Sequence, residues 1–280
     1  NNAIGLTGDG YVLASKVGAV LRDMEFVQFY PTAWGTLASK MCMYEWLLPA
    51  GAIIRNSLGE DILKRHGINV ASATRDVLTR IIVEEIIGGR DVEGNVVFDL
   101  TTIPQKRVQR LYHNGFMSKE GNHDRLRIAP SVHFFMGGII INENAETGIM
   151  GLYSAGEVCG GIQGANRLGG NAISETLVFG TIAGNQAAAA AAKKEPMSVP
   201  QSEVTAEVER LKGLASGTGR GSLHELRQSL KQTMWDKVGV IRDRRNLEDA
   251  LKEILALREQ SVTVSLSDHR QLPQAIKLSN

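Results

Sequence analysis

The stretch GANRLGGNAISE, residues 164–175, gathers three glycines and two asparagines around one charged side chain, Arg167. Gly164, Gly169 and Gly170 lack a Cβ, so the chain can turn sharply there and lie close against a neighbour. The residues that follow, ISETLVFG, begin a helical pattern, which makes the glycines the entry to a helix. A helix N-terminus presents unpaired N–H groups and the positive end of its dipole, both suited to an anionic or electron-rich ligand edge. The guanidinium of Arg167 adds a bidentate anion clamp. The alternative is a loop turning into a helix with Arg167 on its surface, but that would not require glycines on both sides.

Upstream, GGIIIN (137–142) and GLYSAGE (151–157) read as strands. The second ends in Glu157, which places a carboxylate at the carboxyl end of a strand, where nucleotide-binding α/β sheets hold ribose hydroxyls. Taken alone, a solvated strand end is the better reading. SVHFFMGGI (131–139) sets His133 in apolar surroundings, the usual setting of a buried structural histidine. Downstream, an alanine-rich helix (ETLVFGTIAGNQAAAAAAKK) suits tight packing on a sheet. A linker with two prolines follows at 194–201, then a polar, helical tail from about 203 in which Ser222 and Glu225 form a capping box.

Toward the amino terminus the texture changes. TGDG (7–10) is a turn, followed by a helical pattern through Val12, Leu13, Val17, Val20 and Leu21 and then a strand, MEFVQFY. From 33 to 128, short strands (GAIIRN, NVVFDL) mix with charged helices. One of these is SATRDVLTRIIVEEIIGG, with Ser72 or Thr74 as its cap and Gly88–Gly89 as its end. In it Arg75 can simply pair with Asp76 or with a neighbouring helix, and YEW (44–46) reads as a strand fragment. The fold class is therefore α/β plus an α+β insert, followed by a helical part. The expected domains are 1–32, 33–128 as an insert, 129–195 as the returning half, and 203–280. Such an insert creates a cleft, a default place for a ligand.

The bulk numbers exclude several classes. With 31 basic and 30 acidic side chains and a net charge of +1, nothing favours nucleic acid or an anionic membrane. No segment approaches the roughly 18 apolar residues of a membrane span. Cys42 and Cys159 form neither a disulfide framework nor a metal pattern, which favours a reducing cytoplasm. The chain opens on NNAIGLTGDG rather than Met and reads like the interior of a longer protein.

Taken in order, TGDG, MEFVQFYPT, NSLGE, TRDVLTR, VHFFMGGI, GLYSAGE, GANRLGGNAISETLVFG and LRQSLKQTMWDKVGVIRD resemble the flavoprotein subunits of succinate dehydrogenase and fumarate reductase, including L-aspartate oxidase. The resemblance implies the carboxyl-terminal part of an FAD-binding α/β domain, interrupted by a capping domain at 33–128 and followed by a helical domain. The family's amino-terminal G-x-G-x-x-G fingerprint is absent from these residues, so FAD retention by this chain alone is expected to be weak. It also implies FAD as cofactor, a small carboxylate substrate, an iron–sulfur electron-transfer partner, and attachment to the inner face of the membrane through partner subunits.

For chemistry the resemblance implies hydride exchange with flavin N5 and proton transfer by Arg75 across a C–C bond beside a carboxylate. Glu45 matches the relay carboxylate, and His133 with Arg167 the clamp on one substrate carboxylate. Gly8, Asp9, Glu157 and the backbone at Gly170, Asn171, Ala172 and Ile173 match cofactor contacts. Three positions depart from the family pattern. Tyr30 stands where a histidine helps hold the second carboxylate, Tyr44 where a threonine shares that task, and Leu48 where an arginine joins the proton relay. A phenol donates one neutral hydrogen bond, so a bulkier or monocarboxylic enoate is the alternative substrate. A catalytically degenerate structural or electron-transfer paralogue is the third reading. A further alternative keeps the dicarboxylate, with Arg55, Lys40 or a residue of the missing segment supplying the lost charge.

Overall fold

The computed structural model describes residues 6–36, 39–42, 45–104, 106, 124–195, 198–215, 222–261, 271, 273, 275 and 276. The chain divides into two compact units, one built chiefly of Asp23–Gly137 with Gly161–Gly169, the other of Ile4–Arg22, Gly138–Gly160 and Gly170–Asn280.

The first unit is organised by an antiparallel five-stranded sheet in the order β3-β2-β6-β5-β4. Its strands are β2 (Val27–Thr36), β3 (Ser39–Cys42), β4 (Ile53–Arg55), β5 (Val96–Asp99) and β6 (Arg125–Phe135). A short helix α2 (Ile62–Arg65) and the helix α3 (Arg75–Ile87) complete it. In α3, Leu78, Ile81, Ile82 and Glu85 are buried, the three-and-four spacing of one helix face turned to a core. That face packs with Leu47, Ile54, Ile62, Phe98 and Ile128 in one apolar cluster. Thr74 sits at the N-cap of α3 without capping the backbone; its hydroxyl donates to Asp76 instead, at 2.6 Å. Gly88 ends the helix.

The second unit carries a small sheet in the order β1-β7-β8, formed by Leu21–Arg22, Gly138–Ile140 and Cys159–Gly160. β7 and β8 run parallel, and β1 is antiparallel to β7. A Cβ on Gly138 would stand 2.2 Å from the Val158 carbonyl oxygen, so only glycine permits this pairing. Helix α1 (Asp9–Lys16) is shorter than the apolar pattern predicts. Gly18, at φ 88°, turns the chain out of the helix, and Leu21 starts β1 instead.

GLYSAGE is likewise not a strand. Gly151 and Gly156 adopt φ values of 81° and 82°, which no extended strand tolerates, leaving only an isolated bridge between Tyr153 and Glu146. Glu157 therefore lies in the turn before β8, at the amino rather than the carboxyl end of a strand. YEW also departs from the strand reading: its described part belongs to a 3-10 turn, Glu45–Leu47.

The remaining helices are α4 (Asn171–Ala191), α5 (Gln201–Ala215), α6 (Leu223–Lys237) and α7 (Arg244–Ser261). The capping box at Ser222 and Glu225 is formed as the sequence predicts. α6 and α7 are cross-linked by Thr233, whose hydroxyl donates to Glu253 at 2.9 Å.

Candidate active site

In the first unit the pairing of β2 with β6 brings three sequence-predicted residues together. Tyr30 pairs with Ser131, Phe29 with Val132 and Gln28 with Phe134, so His133 is the extra residue of a bulge. Bulges re-aim side chains and interrupt pairing, which suits a functional position. His133 meets Tyr30 edge to face, with ring centroids 5.4 Å apart and planes at 71°. The neighbouring Phe134 offers its ring to Arg167, whose guanidinium carbon lies 4.2 Å from the centroid. Arg167 is buried, with 6% of its surface exposed; the aromatic face helps hold a charge that burial alone would penalise.

Arg75 arrives from another element. As the first residue of α3, its Nε donates to Glu45 Oε1 at 2.7 Å, and its guanidinium carbon lies 4.8 Å from the Tyr30 ring centroid. Glu45 is placed by the 3-10 turn, which is anchored by the buried Leu47 and Leu48 that follow it. Leu48 thus belongs to the apolar core, so the position where the family has a relay arginine holds a packing residue here. Arg75 pairs with Glu45, not with Asp76 as the local sequence allows.

Two residues that sequence reading missed join these parts. Gln28, buried on β2, accepts from Arg75 Nη1 at 3.5 Å and donates to the Arg167 carbonyl at 2.8 Å and to Asn166 Oδ1 at 3.2 Å. Asn166 in turn donates to Asp76 Oδ1 at 2.9 Å. The glycine-rich loop is thereby tied both to β2 and to the start of α3. A Cβ on Gly169 would sit 3.7 Å from Arg75 Nη2, which shows how near the loop comes to that guanidinium. Asn166 lies inside the opening motif, and its amide beside the arginine was the available signal. Gln28 carried none, since a polar residue within a strand reads as solvent-facing.

The electrostatics follow from these neighbours. Burial alone would raise the Glu45 carboxyl, but hydrogen bonds from Tyr30, its own backbone and Arg75, with the Arg75 charge, hold it below the usual carboxylate value. His133 is pushed below its ordinary value, first by burial and then by the positive charges of Arg167 and Arg75, with Glu45 opposing them. The imidazole is therefore neutral at pH 7 and offers one N–H donor. Arg55 is already committed elsewhere: its Nε donates to the buried Asp99 at 2.8 Å and its Nη1 to the Gly59 carbonyl at 3.0 Å. Tyr44 and the Lys40 side chain lie outside the described residues.

The sequence-predicted cofactor positions gather within the second unit. Gly8, in the left-handed region at φ 77°, caps α1 and precedes Asp9, its first residue. Two residues on, the Tyr11 hydroxyl donates to the Glu157 carbonyl at 3.2 Å, and a Cβ on Gly10 would meet Val158 at 2.8 Å. The TGDG turn and Glu157 are thus held side by side. Helix α4 starts at Asn171 from Gly170, at φ 91°, and no side chain caps it. The Ile173 N–H already donates to the Gly170 carbonyl at 3.2 Å, so the N–H groups of Asn171 and Ala172 are the candidates for an electron-rich ligand edge; the Ile173 residue is 71% exposed, an apolar neighbour for a flat ring.

Residues 1–173 match the FAD binding domain family, and residues 227–275 match the carboxyl-terminal domain of fumarate reductase flavoproteins. The chain belongs to the fumarate reductase and succinate dehydrogenase flavoprotein family. It is 34% identical over its whole length to an uncharacterized FAD-dependent oxidoreductase of Methanocaldococcus jannaschii, covering 52% of that protein. It is 33% identical to the fumarate reductase flavoprotein subunit of Mycobacterium tuberculosis, over 94% of this chain and 50% of that protein. A solved E. coli quinol fumarate reductase chain superposes with a TM-score of 0.84 at 28% identity, over 97% of this chain and 51% of that chain. The chain spans about half the length of the curated relatives it matches. Family membership accounts for the α/β plus inserted α+β architecture and the helical tail. No helix among the described residues is long and apolar enough to cross a membrane.

Proposed function

We propose that this chain is part of an FAD-dependent oxidoreductase that reduces or forms a C–C double bond beside a carboxylate, with residues 33–128 as the capping domain. The observation that carries this reading is the guanidinium of Arg75, bonded to Glu45 at 2.7 Å and held over Tyr30 in the unit that also holds Arg167 and His133. Arg75 moves the proton at one carbon. An arginine gives up a proton only where the site favours transient transfer. Glu45, charged at rest, is the relay: on double-bond reduction it takes up a proton from outside the site and passes it to Arg75, and on double-bond formation it accepts the proton that Arg75 has removed. Arg167 binds the substrate carboxylate with a charge-assisted pair of hydrogen bonds, and His133 adds a neutral N–H. Such fixing of substrate against a proton donor is where much of the rate enhancement arises.

FAD, when bound, supplies hydride exchange. Its holders are the turn at Gly8 and Asp9, Glu157, and the backbone from Gly170 through Asn171 and Ala172 to Ile173. The start of α4, capped by no side chain, and the exposed apolar side chain of Ile173 fit an isoalloxazine edge. The electron partner is an iron–sulfur subunit, through which the cytoplasmic protein sits on the inner face of the membrane.

A second reading changes the substrate to a bulkier or monocarboxylic enoate. The commitment of Arg55 to Asp99 favours it, because it removes one source of charge for a second carboxylate. Losing charged recognition of a buried carboxylate costs on the order of 2–5 kcal/mol. Steady-state turnover of the whole flavin-loaded protein with fumarate, succinate and a series of alkyl and aryl acrylates decides among the readings. Fumarate or succinate as the best substrate by kcat/KM supports the first; a substituted acrylate supports the second. Full flavin content with no turnover of any of them points to the degenerate paralogue.

A further inference from the structure

Tyr30 stands where the family has a histidine directed at substrate, and its surroundings give it different work. It is 5% exposed and touches the machinery on three sides. The ring face carries the Arg75 guanidinium at 4.8 Å, the ring packs edge to face with His133 at 5.4 Å, and the hydroxyl is hydrogen-bonded to Glu45. A phenol has a single proton to donate, and a carboxylate can only accept. With that proton directed to Glu45, the hydroxyl has none for a substrate carboxylate.

We propose that Tyr30 is a positioning residue that sets the Arg75–Glu45 pair for proton transfer, and not a substrate-binding residue. The role rests on the function proposed above. The ring fixes where the guanidinium lies, since a cation held over an aromatic face loses attraction as it slides off. The hydroxyl fixes the carboxylate, leaving Glu45 between two donors that arrive from β2 and α3. Arg75 then meets substrate in one orientation without the second relay arginine that the family places at Leu48. One bulky neutral side chain thus takes over an orienting task and gives up a recognition task.

Among the described residues, the charged and titratable groups around Glu45 are Arg75 from α3, Tyr30 from β2 and His133 from β6, with Arg167 acting on His133 from the glycine-rich loop. Tyr30→Phe keeps the ring and removes only the hydroxyl. In the full flavin-loaded protein it is expected to lower kcat about tenfold with KM within about twofold, the pattern of a group that acts in the transition state without binding substrate. The acid limb of its pH–rate profile should move upward, because Glu45 loses a donor that favours its charged form. Tyr30→Leu removes the ring as well and should lower kcat about a hundredfold, within the range of general acid–base effects.

A second measurement does not depend on turnover. The 13C carboxyl titration of Glu45 without substrate should have a higher midpoint in Tyr30→Phe than in the parent, with flavin content and circular dichroism unchanged. An unmoved Glu45 midpoint overturns the proposal. So does a Tyr30→Phe variant whose KM rises about tenfold or more at constant kcat, which makes Tyr30 a substrate contact. A parent protein that turns over no enoate overturns the catalytic role together with the function proposed above, whereas either of the first two results overturns the Tyr30 role alone.

Discussion

The two ends of α3 each hold a carboxylate–arginine cluster, and the two clusters are built for opposite purposes. At the last turn Glu85 is fully buried and closed on all sides. Arg90 Nε reaches Oε2 at 2.7 Å, Asn56 Nδ2 the same oxygen at 3.0 Å, and His66 Nε2 and Arg65 Nε reach Oε1 at 2.7 and 3.2 Å. Burial would raise this carboxyl, but the hydrogen bonds from Arg90, Asn56 and His66 and the charge of Arg90 bring it down to about 2. At the first turn, Arg75 and Glu45 keep 20% and 26% of their side-chain surfaces exposed, and Arg75 is steadied by an aromatic face. A buried charge satisfied on every side can only hold structure. A pair with donors still open can exchange a proton with something else. The same helix face runs through the apolar core to both clusters, so one element ties the site to the most tightly bonded part of the unit.

The strongest test of this contrast is Arg75→Lys. A lysine ammonium can keep the ion pair with Glu45 but not the planar fork over Tyr30. Turnover by the whole protein should fall on the order of 10⁴-fold, the upper end of general acid–base contributions, with flavin content near that of the parent. A comparable loss of flavin would place Arg75 with the cofactor rather than with proton transfer.

Next in size is Glu85→Ala. It strands the cations gathered around the carboxylate and should lower unfolding stability by about 3–5 kcal/mol in urea titrations. kcat/KM of the folded variant should stay within about threefold of the parent. A larger catalytic loss would mean that the two clusters are not separable in function.

The pH dependence sharpens the same point. Glu85 has a folded-state value near 2, below the roughly 4.3 of an unfolded glutamate. Its contribution to stability is therefore fully present above about pH 5 and is lost as pH falls through that range toward 2. Stability of the parent should drop along this acid limb, whereas the Glu85→Ala curve should be distinctly flatter there. Parallel curves would show that the carboxyl is already protonated when it unfolds.

The smallest expected effect belongs to Asn166→Ala. It removes the bond to Asp76 and the acceptor of the Gln28 amide, at a cost of about 1 kcal/mol. Without these ties the loop carrying Arg167 should hold substrate less well, raising KM a few fold in steady-state assays. An unchanged KM would leave Gln28, through the Arg167 carbonyl, as a sufficient tether.

Much of this arrangement is legible in the sequence. The α3 boundaries follow from the Thr74 and Gly88 positions and from buried residues at three-and-four spacing. Gly170 marks the start of α4, and Ser222 with Glu225 caps α6. All of these depend on neighbours a few residues away. What failed was the reading of glycine inside apolar runs. Gly18 cut α1 short of Val20, and Gly151 with Gly156 broke the expected strand before Glu157, because a left-handed φ overrides an apolar pattern.

By itself the sequence determined, through the family resemblance, which residues the proposed chemistry would use: an arginine opening a helix, another flanked by glycines, a histidine in a strand and a glutamate ahead of a Leu-Leu pair. The helix and turn starts that carry the two arginines are local, set by capping and turn chemistry. Only the tertiary structure decided who pairs with whom. Arg75 had Asp76 beside it in sequence yet bonds to Glu45, because the first turn of a helix directs neighbouring side chains around the axis rather than toward each other. Tyr30 and His133 meet because a bulge changes the register of β2 against β6, and register depends on a distant strand that no local pattern encodes.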